Sequence, residues 1–397
     1  MSERTSVLLG EVMRVKHGYA FPGEGFSNDP AWSTLVTPGN FAIGGGFKAT
    51  KPKTFSGEYP DEYVLAPGDL IVTMTDLSKE GATLGLPATI PSDAVYLHNQ
   101  RIGLVEVVDS SVVNLAFLHY YLRSDGYRAH ILGTATGSTV RHTSPSKICA
   151  YRADLPCLEQ QRSITTVLGA LDDKIAANTN LVSTADAWVR AIFTDIAREA
   201  QGKIVLARLA TLARDLVPPS LLSADTMYVG LEHIPRRLMW LNNCGAAMSV
   251  TSTKSRFQTG DILFGKLRPY FHKVVSAPAG GVCSTDVLVV RPVDKRAAGF
   301  VLAAMASDEV VQSCTAASEG TRMPRASWKD LAAVEVPWPG DAAAAALSEK
   351  VSRLRDAVEA HLRENDTLAA MRDLLLPALM SGAIRVKDAE MTVEEVL

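Results

Sequence analysis

Between Gly260 and Lys266 the chain reads GDILFGK, the spacing of a phosphate-binding loop. In such a loop the glycines let backbone N–H groups wrap a phosphate, the lysine reaches its oxygens, and a following Ser or Thr holds magnesium. Here the eighth position is Leu267, so the magnesium ligand is missing. The intervening DILF reads as a strand rather than a flexible cradle, and an ATP site is not expected. Asp172-Asp173-Lys174 has the letters of a metal-dependent nuclease, but it lies in a helical stretch where charges usually form a solvated face or a partner contact. A methyltransferase would need a glycine-rich cofactor loop and an Asn/Asp-Pro-Pro-aromatic tetrad. Neither is present, and Gly44-Gly45-Gly46 is a lone glycine run that reads as a loop. Cysteines 149, 157, 244, 283 and 314 form no CxxC pair, and His17, His98, His119, His130 and His142 have no matching spacing. No metal site is expected, and an odd number of unpaired cysteines suits reduced thiols in the cytosol. The sequence therefore implies no catalytic residue and no cofactor.

What remains is basic. The chain as a whole carries a net charge of −3, which by itself argues against a nucleic-acid binder. The charge is unevenly spread: residues 201–338 hold 16 basic and 11 acidic side chains, whereas 1–155 hold 13 and 15, 156–200 hold 4 and 6, and 339–397 hold 7 and 11. Lys266 and Arg268 alternate out of one turn, beside Tyr270 and Lys273. Arg322, Arg325 and Lys329 follow, and Arg141, His142 and Lys147 stand at similar places earlier in the chain. Cations of this kind give affinity for the DNA backbone, while contacts to base edges give specificity. These ten residues are the candidate DNA contacts.

The elements that must position them occur twice. Phe117 and Phe300, and Pro156 and Pro339, stand 183 residues apart, and GSTVRHTSPSKICAYRADLP faces GTRMPRASWKDLAAVEVPWP without a gap. Upstream the match is looser, with Gly68-Asp69-Leu70 against Gly260-Asp261-Ile262. An internal repeat of this length means two similar units. The stretches 95–108 and 281–293 have the β-branched, alternating character of strands, and 117–132 with its equivalent from Phe300 reads as helix. Each copy is thus mixed α and β.

Each copy then runs into a heptad seam. Ile164, Leu168, Leu171, Ile175, Asn178, Val182, Ala185, Val189 and Ile192 follow a 4-3-4-3 spacing. The second seam is Leu347, Val351, Leu354, Val358 and His361, after which Asn365 and Arg372 interrupt it and a rotation towards Leu362, Met371 and Leu374 is expected. Two such helices, each about 60 Å long at ~1.5 Å per residue, can bury their seams against each other. Antiparallel pairing would bring Asn178 opposite His361, a polar pair that fixes register at some cost in stability. The two globular parts would then sit at opposite ends of a rod, an arrangement suited to a long asymmetric ligand such as duplex DNA.

At this point the phrases themselves carry a resemblance. GDILFGKLRPYF at 260–271 resembles a phrase of target-recognition domains in the specificity subunits of type I restriction-modification systems. LPCLEQQRSITTVLGALDDKIAANTNL at 155–181, GTRMPRASWKDL at 320–331 and LLLPALMSGAIRV at 374–386 resemble further parts of that family, in the same order. The resemblance implies target-recognition domains at 1–155 and 201–338 and spacer helices at 156–200 and 339–385; the tail at 386–397 is acidic by composition and expected to fray. The implied fold class is α+β, two mixed α/β domains separated by two long helices in an intramolecular antiparallel coiled coil. The implied function is non-catalytic reading of a bipartite DNA site, with partners that are double-stranded DNA, two methyltransferase subunits and, through the complex, a motor-nuclease subunit. A recognition module of another defence system with the same plan is the alternative. No signal peptide or membrane span is evident, so a cytoplasmic location is expected. The first domain departs from the family phrase, with GDLIVTMTDLSKEG at 68–81 in place of the basic one.

Overall fold

A computed structural model describes residues 4–48, 53–318 and 323–396. The chain forms two compact units, Met1–Asp173 with Ala369–Leu397, and Lys174–Leu368.

In unit 1 the strand Leu70–Thr73 is buried on both faces, as its unbroken LIVT run requires. It lies between Ile102–Val107 and Pro87–Thr89 in a four-stranded antiparallel sheet completed by Met13–His17. A five-stranded sheet holds Tyr96–Leu97 between Val64–Leu65 and Ser33–Leu35, the last pairing parallel. Unit 2 repeats the plan. Ile262–Gly265 lies between Val287–Pro292 and Val274–Ser276, and Gly281–Cys283 pairs parallel with Met227–Val229.

The repeat reaches further than the sequence discloses. Leu9–Val12 matches Leu206–Leu209 at an offset of 197, the central strands match at 192, Ile102–Val107 matches Val287–Pro292 at 185, and the elements that start at Asp125, Pro145, Arg152 and Leu158 match those at Asp308, Trp328, Glu335 and Asp341 at 183. The falling offset means that the extra residues lie in the first copy. The strand expected at 95–108 is two strands in two different sheets, Tyr96–Leu97 and Ile102–Val107, and 281–293 divides in the same way. Alternation alone cannot signal this, because both pieces keep the β pattern while the turn between them moves the chain from sheet to sheet. The single helix expected at 117–132 is likewise two, Leu115–Tyr121 and Asp125–Thr134, broken at Ser124. The counterpart Ser307 accepts a hydrogen bond from Val310 N and so starts a new helix where periodicity alone would continue the old one.

The long helices run over Leu158–Glu199 and Asp341–Ser381, 42 and 41 residues. They pack antiparallel inside each unit. In unit 1 Arg372 Nη1 reaches Asp172 Oδ1 at 2.8 Å. In unit 2 Asn178 meets Glu364 and Asn365, and Val182, Ala185, Val189 and Phe193 share one apolar core with Val358, Val351, Leu347 and Ala344. Ile164, Leu168, Leu171, Asn178, Leu347, Val351 and Val358 are buried, while Ile175, Leu354 and His361 are half-buried.

Two details of the second seam differ from the heptad reading. Asn178 does not meet His361 directly; its amide donates to Glu364 Oε2 at 2.8 Å and Asn365 Oδ1 at 3.0 Å, and His361 Nδ1 lies 3.4 Å from the same Glu364 oxygen. The flexible Glu364 side chain reaches the buried amide more readily than the imidazole one turn away. Nor does Leu374 enter the seam. It is 74% exposed, whereas Leu368 and Leu375 stay buried, so the apolar stripe keeps its line past Arg372. Arg372 is tolerated because Asp172 neutralises it.

The helices also carry the globular parts of their own units. The buried Gln161 accepts from Asn114 N and donates to the carbonyls of Val112 and Pro156. In unit 2 Phe300 N donates to Ser348 Oγ at 3.0 Å, and a Cβ at Gly299 would stand 2.7 Å from Ser348 Cα, so only glycine permits that approach. Phe300 rings against Phe193 and Trp338. The tail is not frayed: Val386–Glu394 is a helix, with Ala389 and Val393 buried and Arg385 forked onto Asp388. Its acidic composition hides a short amphipathic stripe. No helix among the described residues is long and apolar enough to cross a membrane.

Candidate nucleic-acid interface

In unit 2 the strand Ile262–Gly265 delivers the basic segment. Lys266 N donates to Asp286 O, Ala326 N donates to Lys266 O, and Arg268 N donates to Pro324 O. Leu267 and Arg325 form a bridge between them. The stretch just before the second long helix thus pins the backbone from which Arg268 and Tyr270 project. Among the described residues Arg237, Arg268 and His272 are the non-glycine residues in the left-handed region, with φ of 56°, 52° and 54°. All three belong to this turn, since Arg237 N donates to His272 O. A left-handed non-glycine residue costs of order 1 kcal/mol, and such strain persists only where the surroundings enforce it. Here His272 enforces it: the buried ring bonds Ala306 O through Nε2 at 2.8 Å and lies 3.3 Å from Asp308 through Nδ1. Burial, above all, holds its pKa below the usual value.

The expected contacts divide by what their charges already do. Tyr270 is 52% exposed and edges onto Phe271. The Arg268 guanidinium lies 5.8 Å from the Phe271 ring centre, and Lys329 is exposed on the helix Trp328–Ala333. Arg325 is exposed and pairs loosely with Asp286 at 3.4 Å. Lys266 Nζ donates to Thr285 O at 2.6 Å. Lys273 points inward: its ammonium bonds Leu231 O, and burial lowers its pKa. Arg322 lies outside the described residues. The sequence reading missed Arg236, whose guanidinium sits 4.0 Å over the Phe271 ring, an exposed cation beside Tyr270. Only the fold brings residue 236 to residue 271.

Unit 1 has the same frame with different side chains. Met74 N donates to Arg101 O, Thr143 N donates to Met74 O, and Thr75-Asp76 pairs with Arg141-His142. These bonds place Met74 where unit 2 has Lys266, Asp76 where it has Arg268, His142 where it has Arg325, and Arg101 where it has Asp286. Arg141 Nε bonds Lys79 O, exposed His142 touches Thr75 Oγ1 at 3.1 Å, and Lys147 donates to Thr134 O at 2.7 Å. Lys147, like Lys273, is a fold contact. Arg101, exposed at the site's edge, had no signal in the sequence because its equivalent is an acid.

The groups weighed for catalysis have structural partners. Within GDILFGK, Ile262–Gly265 is a strand, and Asp261 clamps Arg291 through two bonds of 2.7 Å. Asp172 binds Tyr120 and Arg372, and Lys174 pairs with Glu364. Among the described residues no group of three or more His, Cys, Asp or Glu side chains is gathered to hold a metal ion.

Two mixed α/β parts built on one plan and joined by long antiparallel-packing helices define the fold of type I restriction-modification specificity subunits. The crystal structure of such an S subunit from M. genitalium superimposes with a TM-score of 0.57 at 14% identity, over 95% of this chain and 96% of that one. An HsdS subunit from Thermoanaerobacter tengcongensis aligns over 96% of this chain and 97% of its own at 14% identity, with a TM-score of 0.34. In sequence, 90 residues are 34% identical to the specificity subunit of the type I restriction enzyme EcoDI from Escherichia coli. That match covers 23% of this chain and 20% of the relative's length. No family profile matches the chain. The chain thus resembles a type I specificity subunit in fold throughout and in sequence over that stretch.

Proposed function

We propose that this chain is the non-catalytic, sequence-specific DNA-binding subunit of a type I restriction-modification complex. One observation carries the reading. The same backbone frame occurs in both units, but Lys266, Arg268 and Arg325 in one are replaced by Met74, Asp76 and His142 in the other. A conserved frame with exchanged side chains suits two readers of different half-sites. In unit 2, Arg268, Tyr270, Arg325, Lys329 and Arg236 face the duplex, the arginines taking phosphates or guanine edges. In unit 1 Arg141, His142 and Arg101 do so. The long helices set the gap between half-sites and dock two methyltransferase subunits, which carry S-adenosylmethionine, while a separate motor-nuclease cuts. The complex works in the cytoplasm.

Mapping methylated bases in the genome of cells expressing the chain with its partners tests this. A bipartite motif is expected, and Arg268→Ala relaxes one half of it alone. Stoichiometric binding of S-adenosylmethionine to the isolated chain, or a motif untouched by Arg268→Ala together with Arg325→Ala, would overturn it.

A further inference from the structure

The connection leaving the central strand is longer in unit 1, at residues 74–86, than in unit 2, at 266–273. Its extra length is held with unusual care. Asp76, 5% exposed, accepts from Ser78 N at 2.7 Å, Thr83 N at 2.5 Å and Thr83 Oγ1 at 2.7 Å. Burial opposes its charge, but these bonds outweigh burial and keep its carboxyl below the usual range. Arg128 reaches in from a helix and donates to the carbonyls of Leu84, Gly81 and Ala82, and Tyr127 donates to Gly85 O. Ala82 N donates to Ser78 Oγ, and Arg141 Nε donates to Lys79 O. In this fixed loop, directly after Asp76, Leu77 stands 71% exposed, near exposed Lys79 and Glu80.

Resting on the function proposed above, we propose that residues 77–83 are the base-reading loop of the first domain, with Leu77 meeting the C5-methyl group of a thymine in the major groove. Asp76 stands in the frame position of Arg268, but its carboxylate is spent inside the protein. The contact at this place therefore passes to what Asp76 holds up. A leucine offers no hydrogen bond, and the thymine methyl is the apolar feature among base edges in that groove. Holding the loop in advance lowers the entropy lost on binding. Lys79, Arg101 and Arg141 supply phosphate contacts around it.

The test is selection from a pool of randomised duplex DNA with the full-length chain, its Leu77→Ala and Asp76→Ala variants, and Arg268→Ala as the control for the underlying reading. The wild-type chain enriches a two-part motif. Leu77→Ala, a surface change that leaves the thermal transition in place, loosens a thymine position in one half by roughly 5- to 50-fold, the lower part of the range for a single mismatched base pair. Asp76→Ala loosens the same position. Deoxyuridine at that position imposes the same loss on the wild-type chain and none on Leu77→Ala. An unchanged motif with Leu77→Ala, while Arg268→Ala relaxes the other half, overturns this inference and leaves the function standing. Indifference of the wild-type chain to deoxyuridine overturns the methyl contact. A wild-type chain that enriches no motif overturns both.

Discussion

Asp172 is the pivot of a polar cluster in unit 1, and its removal has a calculable cost. Its carboxylate accepts from Tyr120 Oη at 2.9 Å, pairs with Arg372 Nη1 at 2.8 Å and faces Arg123 Nη1 at 3.9 Å. The Arg123 side chain is 4% exposed, and its Nε finds no acceptor among the described residues. Asp172→Ala therefore leaves two guanidinium groups facing one another and strands a buried phenol. Breaking a buried pair by removing one partner costs about 3–5 kcal/mol. Asp172 is 28% and Arg372 20% exposed, so water screens part of this and about 2–4 kcal/mol is the expected loss. Hydrogen exchange reads it at the helix Leu115–Tyr121, which carries Tyr120. Its protected amides should exchange roughly 30- to 1000-fold faster, since each 1.4 kcal/mol is tenfold. The neighbouring Asp173 is exposed, and Asp173→Ala should change stability by less than about 0.5 kcal/mol. Equal exchange in the two variants would refute the reasoning and return Asp172 to the list of partner-facing charges.

Three further outcomes are expected. Asn178→Ala removes the bonds to Glu364 and Asn365 inside the seam and should lower the stability of unit 2 by about 1–3 kcal/mol. Denaturant unfolding followed by tryptophan fluorescence reads this, because Trp188, Trp240, Trp328 and Trp338 all lie in unit 2; an unshifted midpoint would show that the polar contacts contribute nothing. His98 is fully buried, and burial pushes its pKa down to about 4. Its contribution to unit 1 is complete above the unfolded value near 6.5 and is lost as pH falls from there to about 4, by up to about 3 kcal/mol, so His98→Gln should flatten that part of the stability profile. Seven residues inserted after Asn178 together with seven after Glu364 keep both heptads in phase and lengthen the helices by about 10 Å. Mapped methylation should then show unchanged half-sites with a gap wider by about three base pairs, and an unchanged gap would mean that the helices do not set it.

The sequence by itself determined what depends on order along the chain. The gapless match at 183, the 4-3-4-3 seams and the family phrases are one-dimensional patterns, and helix and strand periodicity follows directly from backbone geometry. The tertiary structure decided which charges are free. Lys147 and Lys273 look like Arg268 in a list of cations, yet their ammonium groups end on Thr134 O and Leu231 O. Asp172-Asp173-Lys174 looks like a nuclease signature, yet Asp172 and Lys174 answer cations and carboxylates some 200 residues away. Asp76 stands against Arg268 at the same offset of 192 as Gly68 against Gly260, but the equivalence of Arg101 with Asp286 is carried by hydrogen bonds across sheets where that offset has drifted to 185. A side chain's partner is fixed by long-range packing that no local spacing encodes, and that is why the departure at 68–81 was legible in the residues while the bonds that hold residues 77–83 were not.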